Sequence, residues 1–306
     1  MTSTIHQPAV LEARGEFSLT ASARFLEGFT PAARPDAAEE SGALRLAFPV
    51  ERSWEHAGVL IRQRAPGQVE VEIAHGSPET AVRQVRRILS LDVDGAGFSL
   101  VAQGDPVVRA ASAEYPGLRP VLFHSPYEAA AWTIIGNRIR MTQAARIKQR
   151  LAEEHGVAIE VAGKKLASFP APEQLLAMPR LPGLAEVKMD RLRAVARAAR
   201  DGLLDAESLR ELEAPEALRQ LQRLPGIGPF SAELILVRGA GHPDVFPANE
   251  QRLHDQMRQS YGVPEASVAE LAEIAEGWRP FRSWVALLLR TRREAEPVPE
   301  PRNREL

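Results

Sequence analysis

Over roughly the first hundred residues, apolar positions recur in short bursts with a period near two. Such runs cover residues 16–21, 44–50, 59–64, 69–74 and 98–103, separated by Pro, Gly and acidic loops, and this alternation predicts half-buried β-strands. One segment departs from it. Residues 79–91, ETAVRQVRRILSL, space their apolar side chains three and four apart, which predicts a helix. From about residue 105 the helical period dominates, broken by PGL, FPAP, LPGL, LPGIG and GWRP, where Pro and Gly end one helix and open another. The pattern therefore predicts an α+β N-terminal domain of antiparallel sheet with helix over residues 1–104, then an all-α domain over residues 105–293. Residues 294–306, EAEPVPEPRNREL, are rich in Pro and charge and are expected to be a disordered tail.

Within the helical part, residues 221–241 read LQRLPGIGPFSAELILVRGAG. Pro225 stops an incoming helix, and Gly226 and Gly228 allow the chain to turn through conformations that a side chain would forbid. Ala232, Leu234, Ile235 and Leu236 supply the apolar stripe of a new helix. Bare amides around Gly226 and Gly228 then stand at a helix N-terminus, where free N–H groups and the helix dipole favour an anion such as a phosphate. A helix, a hairpin and a helix arranged in this way can grip a nucleic-acid backbone. The same residues also make an ordinary Gly-containing turn between two helices.

The segment after the hairpin carries more information. A glycine-rich break, Gly239-Ala240-Gly241, leads to Val245-Phe246-Pro247-Ala248-Asn249-Glu250 and a further helix from Gln251. This succession resembles the helix-hairpin-helix DNA glycosylase superfamily, and most of all its 3-methyladenine DNA glycosylase II, or AlkA-like, branch. SPYEAAAWTIIGNRIRMTQAARIKQRLAEEHG from Ser125, FPAPEQLLAMPRLPGLAEVKMDRLRAVARAARDG from Phe169 and GWRPFRSWVALLLR from Gly277 are similar to segments of that branch. The likeness covers residues 105–292 well and the N-terminal third loosely. It implies a monofunctional glycosylase that removes alkylated purines of the 3-methyladenine type in base excision repair. It also implies double-stranded DNA as partner, a monomer, and a cytoplasmic, nucleoid-associated location.

Composition narrows the field. The chain has 306 residues and no Cys, which excludes disulfides, a thiolate metal site and an iron–sulfur cluster. The first residues lack the apolar core of a secretory signal, and no run approaches the ~18 apolar residues of a membrane span. A soluble intracellular protein is expected. The net charge of −2 is unlike the basic balance common in DNA binders. The basic residues are clustered, however: Arg138, Arg140, Arg146, Lys148 and Arg150 stand near one acid, Glu128, and Lys188 precedes Arg191, Arg193, Arg197 and Arg200. Each cluster can meet phosphates or be a solvated helix face.

Cleaving a base from deoxyribose builds positive charge on the sugar, which a nearby carboxylate stabilises. The base is first flipped into a pocket, and a side chain fills the gap it leaves. The family carboxylate is an Asp at the start of the helix after the FPA segment, and the matching residue here is Glu250. It has a structural reading too: Asn249 is a favoured helix N-cap, and an acid in the first turn gains from the dipole. The resemblance places Asn137 where the family often has Gln and Arg138 where an apolar wedge enters the stack, a gap that a planar guanidinium can fill. It places Phe230, Leu234 and Arg290 around the base pocket, at positions where relatives have Trp, Tyr and Trp. Phe230 can stack on a base or pack in the core, and Trp132, Trp278 and Trp284 are expected in the core.

Backbone contact with DNA is implied for Arg138, Arg140, Leu224, Gly226, Ile227, Gly228 and Ser231. Bifunctional relatives carry a Lys at the position of Phe230 to form a Schiff base. Pro229, Phe230 and Ser231 supply no amine, so free base is released and an abasic site remains. No cofactor is required, although the family hairpin holds a monovalent cation, Na+ or K+, on main-chain carbonyls matching Gln222, Leu224 and Ile227. The changes at Asn137, Arg138, Leu234, Glu250 and Arg290 also suit an alternative, a catalytically altered or inactive DNA-binding protein on the same scaffold.

Overall fold

The computed structural model describes residues 7–32, 37, 42–179 and 183–295. Three of the alternating runs are the strands β2 (Ala43–Pro49), β3 (His56–Ala65) and β4 (Gln68–His75), and a short β1 (Ala9–Glu12) adds to them. They form one antiparallel sheet in the order β1-β4-β3-β2. Leu44, Leu46, Phe48, Val59, Ile61, Val69 and Val71 bury one face of it against α1 (Leu19–Gly28) and α2 (Pro78–Ile88). Helix α2 presents Ala81, Val85 and Ile88, the stripe expected from the run 79–91.

Two of the expected strands are not strands. Residues 16–18 form the approach to α1, whose first turn takes up residues 19–21, with Ser18 accepting the Ala21 N–H as cap. Residues 98–103 lie in helix α3 (Phe98–Gly104). Alternation over six residues is too short to separate the two periods, and these helices bury only part of their apolar side chains. Strand β1 carries too weak a signal to be expected, because its four residues give one alternation.

The remaining chain is helical, as the pattern predicts, with one exception. Helices α4 (Pro106–Glu114), α5 (Pro126–Gly136) and α6 (Met141–His155) precede a hairpin of β5 (Val157–Val161) and β6 (Lys164–Ser168). Residues 157–161 alternate, and Ala162 and Gly163 at the tip have φ of 47° and 79°, so the sequence does hold a hairpin signal. Ile159 and Val161 pack on Ala47 and Leu60, the other face of the main sheet. A Cβ on Gly58 would stand 2.5 Å from Ile159 Cγ2, which is why the strand has a glycine there. The hairpin thus locks the helices to the sheet.

Helices α7 (Pro172–Ala177), α8 (Glu186–Arg200), α9 (Ala206–Glu211), α10 (Ala214–Gln222) and α11 (Pro229–Leu234) come next. With α5 and α6 they enclose a core containing Tyr127, Trp132, Ile134, Leu192, Leu221 and Ile235. Helices α12 (Gln251–Tyr261), α13 (Val268–Glu276) and α14 (Arg282–Ala295) enclose another with α4, around Leu253, Met257, Trp278 and Leu289. Trp132, Trp278 and Trp284 are buried. Helix α14 continues past the expected boundary at 293, and the rest of the expected tail, residues 296–306, lies outside the described residues. Among the described residues, no helix is long and apolar enough to cross a membrane.

Candidate active site

The hairpin joins α10 to α11. Leu224 N–H donates to Leu221 O and Ile227 N–H to Leu224 O, each at 3.1 Å. Gly226 has φ of 86°, and a Cβ there would meet Arg191 Cδ at 2.6 Å and Ile134 Cδ1 at 3.0 Å. Glycine is required by both conformation and space. Leu224 and Ile227 anchor the turn in the helical core, whereas Gly228 and Pro229 at the start of α11 are exposed. Phe230 is 44% exposed, which rules out simple core packing for it. Ser231 is half-buried, and Leu234 packs partly on the core. The chain continues without a break into a π-helical turn, Ile235–Ala240, a widening that often accompanies functional sites.

Glu250 is itself the N-cap of α12, accepting the Arg252 N–H at 3.3 Å. Asn249, the cap expected from the sequence, does something else: its Nδ2 donates to Glu233 Oε1 at 2.7 Å. The capping of this helix therefore holds with the roles shifted by one residue. Arg290 of α14 approaches Glu250, Nε to Oε1, at 3.7 Å, and the two side chains are 20% and 22% exposed. The structure thus brings together a partly open carboxylate and a guanidinium that lie far apart in the sequence.

The loop bearing Glu250 is held on several sides. Asp244 accepts from Arg282 Nε at 2.7 Å and Arg279 Nη1 at 2.8 Å. Val245 N–H donates to Ser283 Oγ at 3.0 Å, and Ser283 N–H donates to Pro243 O at 3.0 Å. Arg282 and Ser283 begin α14, the helix that carries Arg290, so the loop and Arg290 share one frame. Buried Glu233 of α11 receives the Ala248 and Asn249 amides at 3.1 and 2.9 Å. Burial pushes its carboxyl up, against the pull of the bonds from Asn249 and Ala248.

Asn137 and Arg138 occupy the exposed loop between α5 and α6. Arg138 has φ of 56°, a left-handed conformation that costs a non-glycine residue about 1–2 kcal/mol. Lys188 of α8 donates to Ile135 O at 2.8 Å and Asn137 O at 2.7 Å, holding the loop from behind. Burial and then Arg191 lower the Lys188 pKa. Arg191, one turn on, packs on Gly226. Helix α8 therefore references the loop of residues 137–138 to the hairpin, while Arg140, the exposed N-cap of α6, stands beside the loop.

The basic clusters need correction. Lys148 is half-buried and turned inward: its Nζ lies 2.6 Å from Glu128 and 3.0 Å from Pro31 O. Lys188 serves backbone carbonyls, and Arg193 and Arg200 pair with Asp190 and Asp201. Sequence reasoning misses Glu233 and Lys188 as site-building residues. A charged side chain on a helix gives no sign of which loop it will reach. The one available hint is Glu233 itself, an acid in the apolar stripe of residues 232 and 234–236.

No family model matches the chain. It is 27% identical over 217 residues to a DNA-3-methyladenine glycosylase of Bacillus subtilis, covering 69% of this chain and 71% of that protein. It is 31% identical over 211 residues to a probable bifunctional transcriptional activator/DNA repair enzyme AlkA of Mycobacterium tuberculosis, covering 67% of this chain. The match spans 41% of the mycobacterial protein's length. The fold is shared with a 3-methyladenine DNA-glycosylase from Archaeoglobus fulgidus at a TM-score of 0.74 and 23% identity, over 92% of this chain and 96% of that one. The chain belongs to the AlkA-like branch of the helix-hairpin-helix DNA glycosylase superfamily.

Proposed function

We propose that this protein is a monofunctional DNA glycosylase that releases alkylated purines of the 3-methyladenine type in base excision repair. The observation that carries this conclusion is the partly exposed carboxylate of Glu250, capping the helix that comes after a hairpin with an open turn. The names of the relatives describe a DNA-3-methyladenine glycosylase and a DNA repair enzyme. The hairpin amides and Arg140 hold the backbone of double-stranded DNA, and Arg138 fills the gap left by a flipped nucleotide. The extruded base enters between Phe230, Leu234, Asn137 and Arg290. Glu250 faces the sugar and stabilises its positive charge as the base departs. Water completes the displacement, since the hairpin positions Pro229, Phe230 and Ser231 offer no amine for a Schiff base.

No cofactor enters the chemistry. The hairpin fits a monovalent cation: the turn bonds use one lone pair of Leu224 O and do not engage the carbonyls of Gln222 and Ile227, and carbonyl oxygens suit a hard cation. Bound there, Na+ or K+ would add positive charge beside a gripped phosphate. The protein acts as a monomer in the cytoplasm, at the nucleoid.

The test is release of free base from methylated duplex DNA. The expected result is 3-methyladenine in solution and an abasic strand that stays intact until treated with alkali. Tight binding to duplexes with an abasic-site analogue but no base release across several lesions would instead establish a binding protein on the glycosylase scaffold.

A further inference from the structure

Glu233 is 6% exposed and sits in α11, one turn after Phe230. Among the described residues, the donors to its carboxylate come from the two residues before Glu250. Oε1 accepts the Ala248 N–H at 3.1 Å and Asn249 Nδ2 at 2.7 Å, and Oε2 accepts the Asn249 N–H at 2.9 Å. Three donors converging on one side chain require an acceptor at both oxygens, which an ionised carboxylate provides and a carboxamide does not. Glutamine would turn an NH2 group toward one of these N–H donors.

The Glu250 side chain is loosely held. Among the described residues it has a 3.3 Å capping bond and a 3.7 Å ion pair to Arg290, both long for the interactions they represent, while its main-chain carbonyl accepts the Leu253 and His254 N–H groups of α12 at 3.0 and 3.2 Å. Its placement therefore depends on the loop behind it. On one side Ser283 and Arg282 fix residues 243–245. On another, His254 of α12 meets Pro247 O at 3.0 Å. The last two residues before Glu250 are fixed by Glu233, which grows from the same short helix whose first turn carries the hairpin's exposed end.

We propose that Glu233 is a positioning residue: its carboxylate ties residues 248–249 to α11 and so registers the Glu250 carboxylate to the DNA-gripping hairpin. This rests on Glu250 being the working carboxylate. It assigns α11 two tasks within one turn, holding the DNA backbone and holding the loop that carries the chemistry. The position of Glu250 relative to the flipped sugar is then set by one rigid piece of the protein. A displacement of about 1 Å at such a group costs on the order of 10²-fold in rate. That explains why a carboxylate is kept in a buried place that penalises its charge.

Two readouts on Glu233→Gln test this. The first is amide hydrogen exchange in the protein without DNA. Exchange at Ala248 and Asn249 should accelerate by about tenfold or more, the loss of roughly one to two hydrogen bonds, while the Val245 amide on Ser283 stays protected. The second is single-turnover release of 3-methyladenine from methylated duplex DNA. The rate should fall by about 10- to 100-fold, with affinity for a duplex holding a tetrahydrofuran abasic analogue within about threefold of wild type. In a Glu250→Gln background the same substitution should change the residual rate by less than about threefold, because residues acting as a unit are not additive. Unchanged exchange at both amides, an unchanged release rate, or a full further loss in the Glu250→Gln background would each overturn the proposal. If wild type releases no alkylated purine, the glycosylase assignment fails by itself and the exchange measurement alone judges the tether. Should Glu233→Gln not fold, Asn249→Ala removes one donor from the loop side and is expected to give the same pattern at smaller size.

Discussion

Two glutamates are deeply buried among the described residues, and their surroundings are opposite. Glu128 of α5 is 3% exposed and faces the Lys148 ammonium at 2.6 Å and the His124 imidazole at 3.0 Å. Burial alone would push its carboxyl up, but His124 and Lys148 outweigh burial and hold it well below the usual carboxylate range. Glu233 of α11 faces amide donors, and its carboxyl is pushed up by burial. The first is a fixed ion pair that joins α5 to α6 where the helices meet the sheet. The second is a carboxylate whose two oxygens receive three donors from the loop before Glu250. A buried acid paired with a lysine joins two helices of the scaffold, whereas one held by amides is suited to the positioning role proposed for Glu233.

The largest difference should appear in stability. Glu128→Gln leaves half-buried Lys148 without its counter-charge, and breaking a pair whose acid is buried should approach the cost of about 3–5 kcal/mol for a fully buried pair. Glu233→Gln loses hydrogen bonds but no counter-ion, and should cost about 1–3 kcal/mol. Urea unfolding of the two variants checks the order, and equal losses would remove the distinction.

Acid titration separates the two by sign. A carboxyl lowered in the folded state, as at Glu128 and at Asp205, contributes stability present above its unfolded pKa and lost as pH falls through the folded value. Asp205 is lowered to about 2 by bonds from Arg52 and Ser208, which overcome its burial. Glu233 is raised, so its contribution is complete below the unfolded pKa and declines as pH rises through the folded value. Unfolding free energy measured from pH 7 downward should therefore fall less steeply in Glu128→Gln than in wild type. In Glu233→Gln, the decline on raising pH above the ordinary carboxylate range should be reduced.

Smaller effects concern the surface proposed to face DNA. Gly226→Ala forces a side chain into a backbone at φ 86° and against Arg191, and should cost about 1–2 kcal/mol of stability while weakening binding to abasic-analogue duplex. Arg138→Ala discriminates between two roles of the loop joining α5 to α6. If the guanidinium stacks in the gap, the salt dependence of DNA binding stays as in wild type. If it contacts a phosphate, the slope of log affinity against log salt falls by about 1.

Much of this architecture can be read along the chain, for reasons that differ by region. Strands β2, β3 and β4 are long enough for alternation to be unmistakable, and LPGIG announces its turn through residue types that serve few other purposes. Residues 98–103 mislead because six residues fit either period. The β5–β6 hairpin is hidden by helical neighbours on both sides, although Ala162-Gly163 marks its turn. At the site, resemblance points to Glu250 and Arg290, but their meeting is a matter of tertiary structure. Glu233 and Lys188 are not legible at all: each reaches backbone groups in a distant loop, and backbone groups carry no sequence signature. Lys148 shows the same limit from the other side, since its basic neighbours suggest a surface that it does not share.

The role proposed for Glu250 is to supply the carboxylate that makes the bond cleavage possible. It is tested most directly by single-turnover release of 3-methyladenine from methylated duplex DNA, comparing wild type with Glu250→Gln, alongside binding of both proteins to an abasic-analogue duplex. Wild type should release the base, the variant should lose about 10²- to 10³-fold in rate, and binding should survive the substitution. Release by Glu250→Gln at the wild-type rate would contradict that role and leave Glu250 as a helix cap alone.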